Sequence, residues 1–209
     1  MATSLLYRVA QRTLLLDVTH LLVSTKELPF APGQFDFREL TSEDIIRLAE
    51  NSSLELDASM ASRLDFGLDH CFGAFDGEDL AGYCWIARQN IEPENNRGAH
   101  PQTGVAISFA SDTAFIYKAF THPQSRGQQV FSRVLGFAAD ELQRCGVVRF
   151  LSTTDWINHS ALRAFERSGF ESVGKVWQVA RISSMTVGPA KARAMGIRIG
   201  SAAKFTRRE

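Results

Sequence analysis

The stretch Pro123-Gln124-Ser125-Arg126-Gly127-Gln128-Gln129 joins the end of a strand-patterned run to the start of a helix-patterned one. The first turn of a helix leaves backbone N–H groups without intrahelical partners. With the helix dipole they favour an anion by roughly 0.3–1 kcal/mol per interaction when exposed. A pyrophosphate suits such a place. Gly127 removes a side chain that could block approach, and Arg126 adds a permanent positive charge with fork geometry. An Arg-Gly pair opening a helix is also common punctuation, so this segment alone does not fix a ligand.

A second segment follows one strand downstream: Asn158-His159-Ser160-Ala161-Leu162-Arg163-Ala164-Phe165-Glu166-Arg167-Ser168-Gly169-Phe170. Asn158 is an N-cap by residue type, and Gly169 ends the short helix. Other chemistry-bearing residues are sparse. His20, His70, His100, His122 and His159 lack metal-site spacing, so no metal is expected. Gly169 to Val176 nearly spells a phosphate-binding loop, but lacks the final Ser or Thr and runs from helix into strand. Cys71, Cys84 and Cys145 contain no Cys-x-x-Cys pair, which fits a reducing compartment, with Cys71 and Cys84 as small core residues.

The elements that must position these residues follow from periodicity. Residues 1–33 form an N-terminal extension. Its apolar run, Leu14 to Val23, is too short to span a bilayer and is expected to be a peripheral helix or strand packed on the domain. Gln34 to Leu40 alternates as a strand. Thr41, with Asp44 three residues on, caps a helix carrying Ile45, Ile46 and Leu48. A helical patch spans about Ser59 to Leu68. Cys71 to Phe75 and Leu80 to Ala87 flank a hairpin turn. Residues 89–103 are loop, where a substrate lid could sit. Val105 to Phe109 and Ala114 to Thr121 are strands, and Pro123 breaks the run. Val130, Val134, Phe137, Ala138 and Leu142 recur at helical spacing up to Gly146. A strand over Val147 to Ser152, the Asn158 helix and a strand over Phe170 to Ile182 complete the order. Strand-helix-strand from Ala114 implies a crossover between parallel neighbours, while the earlier strands join by hairpin, so the sheet is expected to be mixed.

The two motifs, in this order and spacing, resemble the GNAT superfamily of N-acetyltransferases over about residues 34 to 182. The resemblance implies a single mixed, mostly antiparallel α/β sheet, with helices on both faces and a central parallel pair splayed around acyl-CoA. It implies acyl transfer from acetyl-CoA, or another acyl-CoA, to a primary amine on a small molecule or peptide. Residues 126–131 (Arg126, Gly127, Gln128, Gln129, Val130 and Phe131) would cradle the pyrophosphate. The backbone of Ala119, Phe120 and Thr121 would pair with the pantetheine arm, and Asn158 would hydrogen-bond the same arm. Two features depart from the family. Its loop usually reads Arg-Gly-x-Gly-x-Gly or Ala, whereas this chain has Gln129, expected to point outward, and Phe131, expected to face the core. Phe165 stands where many members place a tyrosine that protonates the leaving thiolate, which phenylalanine cannot do.

Amine attack on a thioester needs a group to take or relay a proton. Tyr117, on the strand before the loop, is the first candidate and Asp155 the second; His122 and His159 flank the motifs. Tyr83 and Trp85 could line an acceptor pocket, though a core strand explains them equally. No cysteine stands in an activated setting, which favours direct attack over a covalent enzyme intermediate. The alternative is a non-catalytic acyl-CoA-binding or interaction module, motivated by Gln129, Phe131 and Phe165. With 23 basic and 23 acidic residues, the chain gives no reason to expect a nucleic-acid partner. Residues 183–209 form a basic C-terminal segment, expected to be a solvated tail; with the apolar N-terminal run it would be the basis for a membrane- or polymer-associated role. The expected setting is cytoplasmic, with a homodimer left open.

Overall fold

The computed structural model describes residues 2–24, 27–67, 69–96, 103–179 and 185–200. In chain order these contain α1 (Ala2–Leu14), β1 (Leu16–Ser24), β2 (Asp36–Glu39), α2 (Ser42–Ala49), α3 (Ala61–Asp65), β3 (Asp69–Asp76), β4 (Asp79–Ala87) and β5 (Ala106–Ser108). They continue with β6 (Thr113–Thr121), α4 (Val130–Arg144), β7 (Arg149–Asp155), α5 (His159–Arg167), β8 (Glu171–Val179), β9 (Met185–Val187), α6 (Ala190–Ala194) and β10 (Arg198–Gly200). One sheet runs β2-β3-β4-β6-β7-β1-β8-β9, and β5 pairs with β10 apart from it. Every pairing in the large sheet is antiparallel except β6 with β7. The mixed sheet expected from the sequence is therefore present.

Local signals set the helix ends. The Thr41 hydroxyl accepts from the Asp44 N–H while the Asp44 carboxylate accepts from the Thr41 N–H, a complete capping box. At the far end of α4, Gly146 at φ +86° lets Gly146 and Val147 donate back to Gln143 and Leu142, closing the last turn. Asn158 caps α5 by accepting from Ala161 N–H at 3.1 Å.

Both faces of the sheet are covered. Val130, Val134, Ala138 and Leu142 of α4 and Phe165 of α5 pack on Phe72, Cys84, Ile86, Ile116 and Phe150. On the other face Ile45 and Leu48 of α2 and Ala61 of α3 meet Cys71, Tyr83, Trp85 and Phe120. Beside them Ile107, Ala192 and Ile197 cover Leu21, Phe115, Leu151 and Val176.

Three expectations change. The N-terminal run is not peripheral: β1 lies inside the sheet, antiparallel to both β7 and β8. Its Val18, Leu21, Leu22 and Val23 are buried, as is Asp17. A strand buried on both faces does not alternate, and its polar residues hid it further. The strand expected over Val105 to Phe109 leaves the large sheet and pairs with β10. The C-terminal segment is no solvated tail as far as residue 200. It returns as β9, α6 and β10, burying Ala192 and Ile197 while Lys191 and Arg193 stay exposed. Residues 201–209, with Lys204, Arg207 and Arg208, lie outside the described residues, as do residues 97–102 of the supposed lid.

Candidate active site

The parallel pair opens into a fork. β6 and β7 are in register from Thr113↔Arg149 to Ile116↔Ser152 and no further, although β6 runs on to Thr121 and β7 to Asp155. The Ser152 hydroxyl donates to the Ile116 carbonyl at 2.9 Å, marking the apex. Beyond it, β6 keeps its partner on one side only, with Cys84↔Ala119, Tyr83↔Phe120 and Gly82↔Thr121. Its other backbone edge faces the gap. The β4–β6 register slips by one residue between Trp85 and Ile86, leaving Tyr117 unopposed. A bulge of this kind bends a strand and re-aims a side chain.

The loop after β6 leads straight to the start of α4. Pro123–Ser125 make one 3-10 turn, Arg126 is extended, and Gly127 has φ +82°. A Cβ built on Gly127 would meet no atom within 4 Å, so space is open there, and the backbone itself favours glycine. Gln129 is the N-cap of α4, at φ +60°, and its side chain makes no capping bond. The first-turn amides of Val130, Phe131 and Ser132 therefore point out of the helix end with no side-chain cap. The Arg126 guanidinium is exposed and has no partner among the described residues.

The other expected contacts fall into two groups. Ala119 is exposed and Thr121 half-buried on the open edge, whereas the Phe120 and Val130 side chains belong to the core, leaving their backbones to any ligand. Gln128 is exposed and accepts from Gln34 at 3.0 Å. Gln129 does point outward, from the cap rather than the first turn. Phe131 turns against Phe165, ring centroids 5.0 Å apart, and Phe165 in turn meets Phe170 at 5.0 Å. The two departures from the family pattern thus pack on each other. Asn158 acts as the N-cap through its carbonyl oxygen, which leaves its side-chain N–H₂ without a partner among the described residues.

On the face opposite α4 the gap opens onto a cavity of about 140 Å³ lined by Tyr117, Asp155, Asp17, Thr153 and Gln178, among others. Tyr117 donates to Asp69 at 2.5 Å, and Arg63 forks onto the same carboxylate through Nε and Nη2. Burial, reinforced by the Asp69 charge, pushes the Tyr117 phenol far above its ordinary range. Asp155 accepts from Ile157 N–H and from Gln11 of α1, and the same Gln11 amide donates to Asp17. Tyr83 and Trp85 are fully buried, with the Tyr83 hydroxyl held by the Leu54 and Glu55 carbonyls, so both are core residues. Burial raises the thiols of Cys71 and Cys84, which makes neither a nucleophile. His122 and His159 do not line this cavity.

The sequence brought Tyr117, Asp155 and the loop to one place, but not Arg63, Asp69, Gln11, Asp17 or Gln178. Those come from five separate elements; Arg63–Asp69 and Gln11–Asp17 are each six residues apart, but nothing nearby in sequence ties either pair to Tyr117, Asp155 or Gln178. Asp17 carried the one visible signal, a carboxylate interrupting an apolar run.

The model of the GNAT acetyltransferase family matches residues 37–170, which hold the whole fork, the loop and the Asn158 helix. The chain belongs to the GNAT acetyltransferase family. The family's co-substrate is acetyl-CoA, and the open edge of β6 beside an uncapped helix start suits a pyrophosphate with an amide-bearing arm. Solved structures agree in fold. A GNAT-family structure from Novosphingobium aromaticivorans superposes with TM-score 0.53 at 18% identity, covering 77% of this chain and 61% of that one. A conserved protein of unknown function from Staphylococcus epidermidis gives TM-score 0.51 at 14% identity, covering 83% and 65%. A tandem GNAT protein of the clavulanic acid biosynthesis pathway gives 0.50 at 15%, covering 78% and 52%. The chain thus spans less than two thirds of the length of each. No curated protein matches the chain significantly.

Proposed function

We propose that the chain transfers an acetyl or other short acyl group from acyl-CoA to a primary amine by direct attack. The observation that carries this reading is the β6 edge left unpaired past Ile116, running into the uncapped start of α4. The first-turn amides and Arg126 would hold the pyrophosphate. The edge at Ala119, Phe120 and Thr121 would pair with the pantetheine amides as an added strand pairs with a sheet. The Asn158 N–H₂ would donate to the same arm.

Acyl-CoA supplies an activated carbonyl and a thiolate leaving group. The amine nitrogen forms the new C–N bond as the C–S bond breaks; the amine gives up one proton and the thiolate takes one up. Asp155 would receive the amine proton; in support, it lines the cavity and has no cationic partner among the described residues. Tyr117 stays protonated and commits its proton to Asp69, so its role here is to accept an N–H and orient the amine. Asp155→Asn is expected to lower kcat/KM at least about 100-fold in an assay of thiol release, the usual scale for losing a general base. The acetyl-CoA dissociation constant should change little. Full turnover in that variant would exclude Asp155 from the role.

The Phe131–Phe165 contact favours a second reading, a binding module without catalysis. Tight acetyl-CoA binding with no thiol release across a broad panel of primary amines would establish it.

A further inference from the structure

Beyond the reacting nitrogen, the cavity continues across the sheet. The order β6-β7-β1-β8 places Tyr117 and Asp155 at the fork, Asp17 one strand beyond β7, and Gln178 two strands beyond. Asp17 and Gln178 are direct cross-strand neighbours. Asp17 is 3% exposed, accepts only from the neutral Gln11 and Thr103 side chains, and has no ion-pair partner among the described residues. A buried carboxylate without a cation is costly, and each of its oxygens still has a lone pair to offer. Gln178 is 4% exposed; its N–H₂ donates to the Gly104 carbonyl at 2.7 Å, while its Oε1 has no partner. The far end of the cavity therefore offers acceptors and negative charge.

We propose that this far end is a subsite for a second ammonium group, so that the acceptor is a small aliphatic diamine. The inference rests on the acyl-transfer reading for the near end only. Its length follows from Gln11, whose one amide nitrogen reaches Asp155 at 3.0 Å and Asp17 at 2.9 Å, so the two carboxylates lie no more than about 6 Å apart. Five single bonds of about 1.5 Å reach roughly 6 Å in zigzag, which is a four-carbon diamine. The cavity volume of about 140 Å³ suits such a chain. Asp17 and Asp155 together repel a carboxylate, which turns away free amino acids. Gln11, Asp17 and Gln178 all lie outside the 37–170 span matched by the family model.

Calorimetry with 1,4-diaminobutane and butylamine, without acyl-CoA, tests the subsite apart from the chemistry. The diamine should bind saturably and at least tenfold more tightly than butylamine, with 4-aminobutanoate weakest. Asp17→Asn should abolish the difference, and Gln178→Leu, which keeps the volume, should reduce it if the first variant fails to fold. Equal binding of diamine and monoamine, or no binding of the diamine, overturns the proposal. Diamine binding without acylation in the thiol-release assay would leave the subsite standing and count only against the acyl-transfer reading.

Discussion

Gln129 shows how a single residue can depart from a family pattern while its backbone does not. It holds φ +60°, a conformation that costs an ordinary L-residue roughly 1–2 kcal/mol and glycine almost nothing. Glycine would add about 0.4–1 kcal/mol of unfolded-state entropy. Gln129→Gly is therefore expected to stabilise the chain by up to about 1 kcal/mol, read from urea unfolding; a clear loss of stability would show that the Gln129 side chain contributes something unseen. That Gln129 and Phe131 depart from the pattern was legible in the sequence, and so was their direction, one outward and one inward. Their consequences were not. The φ angle of Gln129 and the contact of Phe131 with Phe165 need the packed helix pair. Tyr117 was legible as a residue of the strand before the loop, but the Arg63–Asp69 fork that fixes its proton joins positions 48 residues or more from it.

At the scale of elements, what depends on neighbouring residues was readable and what depends on distant partners was not. The Thr41–Asp44 box, the Asp76–Asp79 hairpin, the Gly146 stop and the Asn158 cap all follow from spacings of a few residues. Thr41→Ala should cost about 1 kcal/mol in chemical unfolding, since it removes one arm of a capping box; an unchanged midpoint would contradict that. β1 was misread because its neighbours β7 and β8 lie more than 125 residues downstream and its burial pattern has no period of two. The fork was not visible as geometry either. It arises where the bulge at Tyr117 turns β6 away and Ser152 closes the last pair. Only the resemblance to the family suggested that it would exist.

For the whole molecule, fold and chemistry meet in one sheet. The α4 face carries the helix start and Asn158; the opposite face carries the acidic cavity; the fork connects them. Burial also leaves a global signature in pH. Tyr7, Tyr83 and Tyr117 all have phenols raised mainly by burial. Unfolding exposes phenols that ionise near 10. A raised folded-state value gives stability that is complete below about pH 10 and falls as pH climbs beyond it. Thermal unfolding between pH 8 and 11 should therefore show a decline that begins near pH 10, and a flat profile there would argue against these burials.

The β6 edge and the start of α4 are expected to form an acyl-CoA site despite Gln129 and Phe131. Calorimetric titration with acetyl-CoA and with CoA tests it most directly. Saturable one-to-one binding of both, weakened by Arg126→Ala, is the predicted result. No binding of either at millimolar concentration would rule out an acyl-CoA site here.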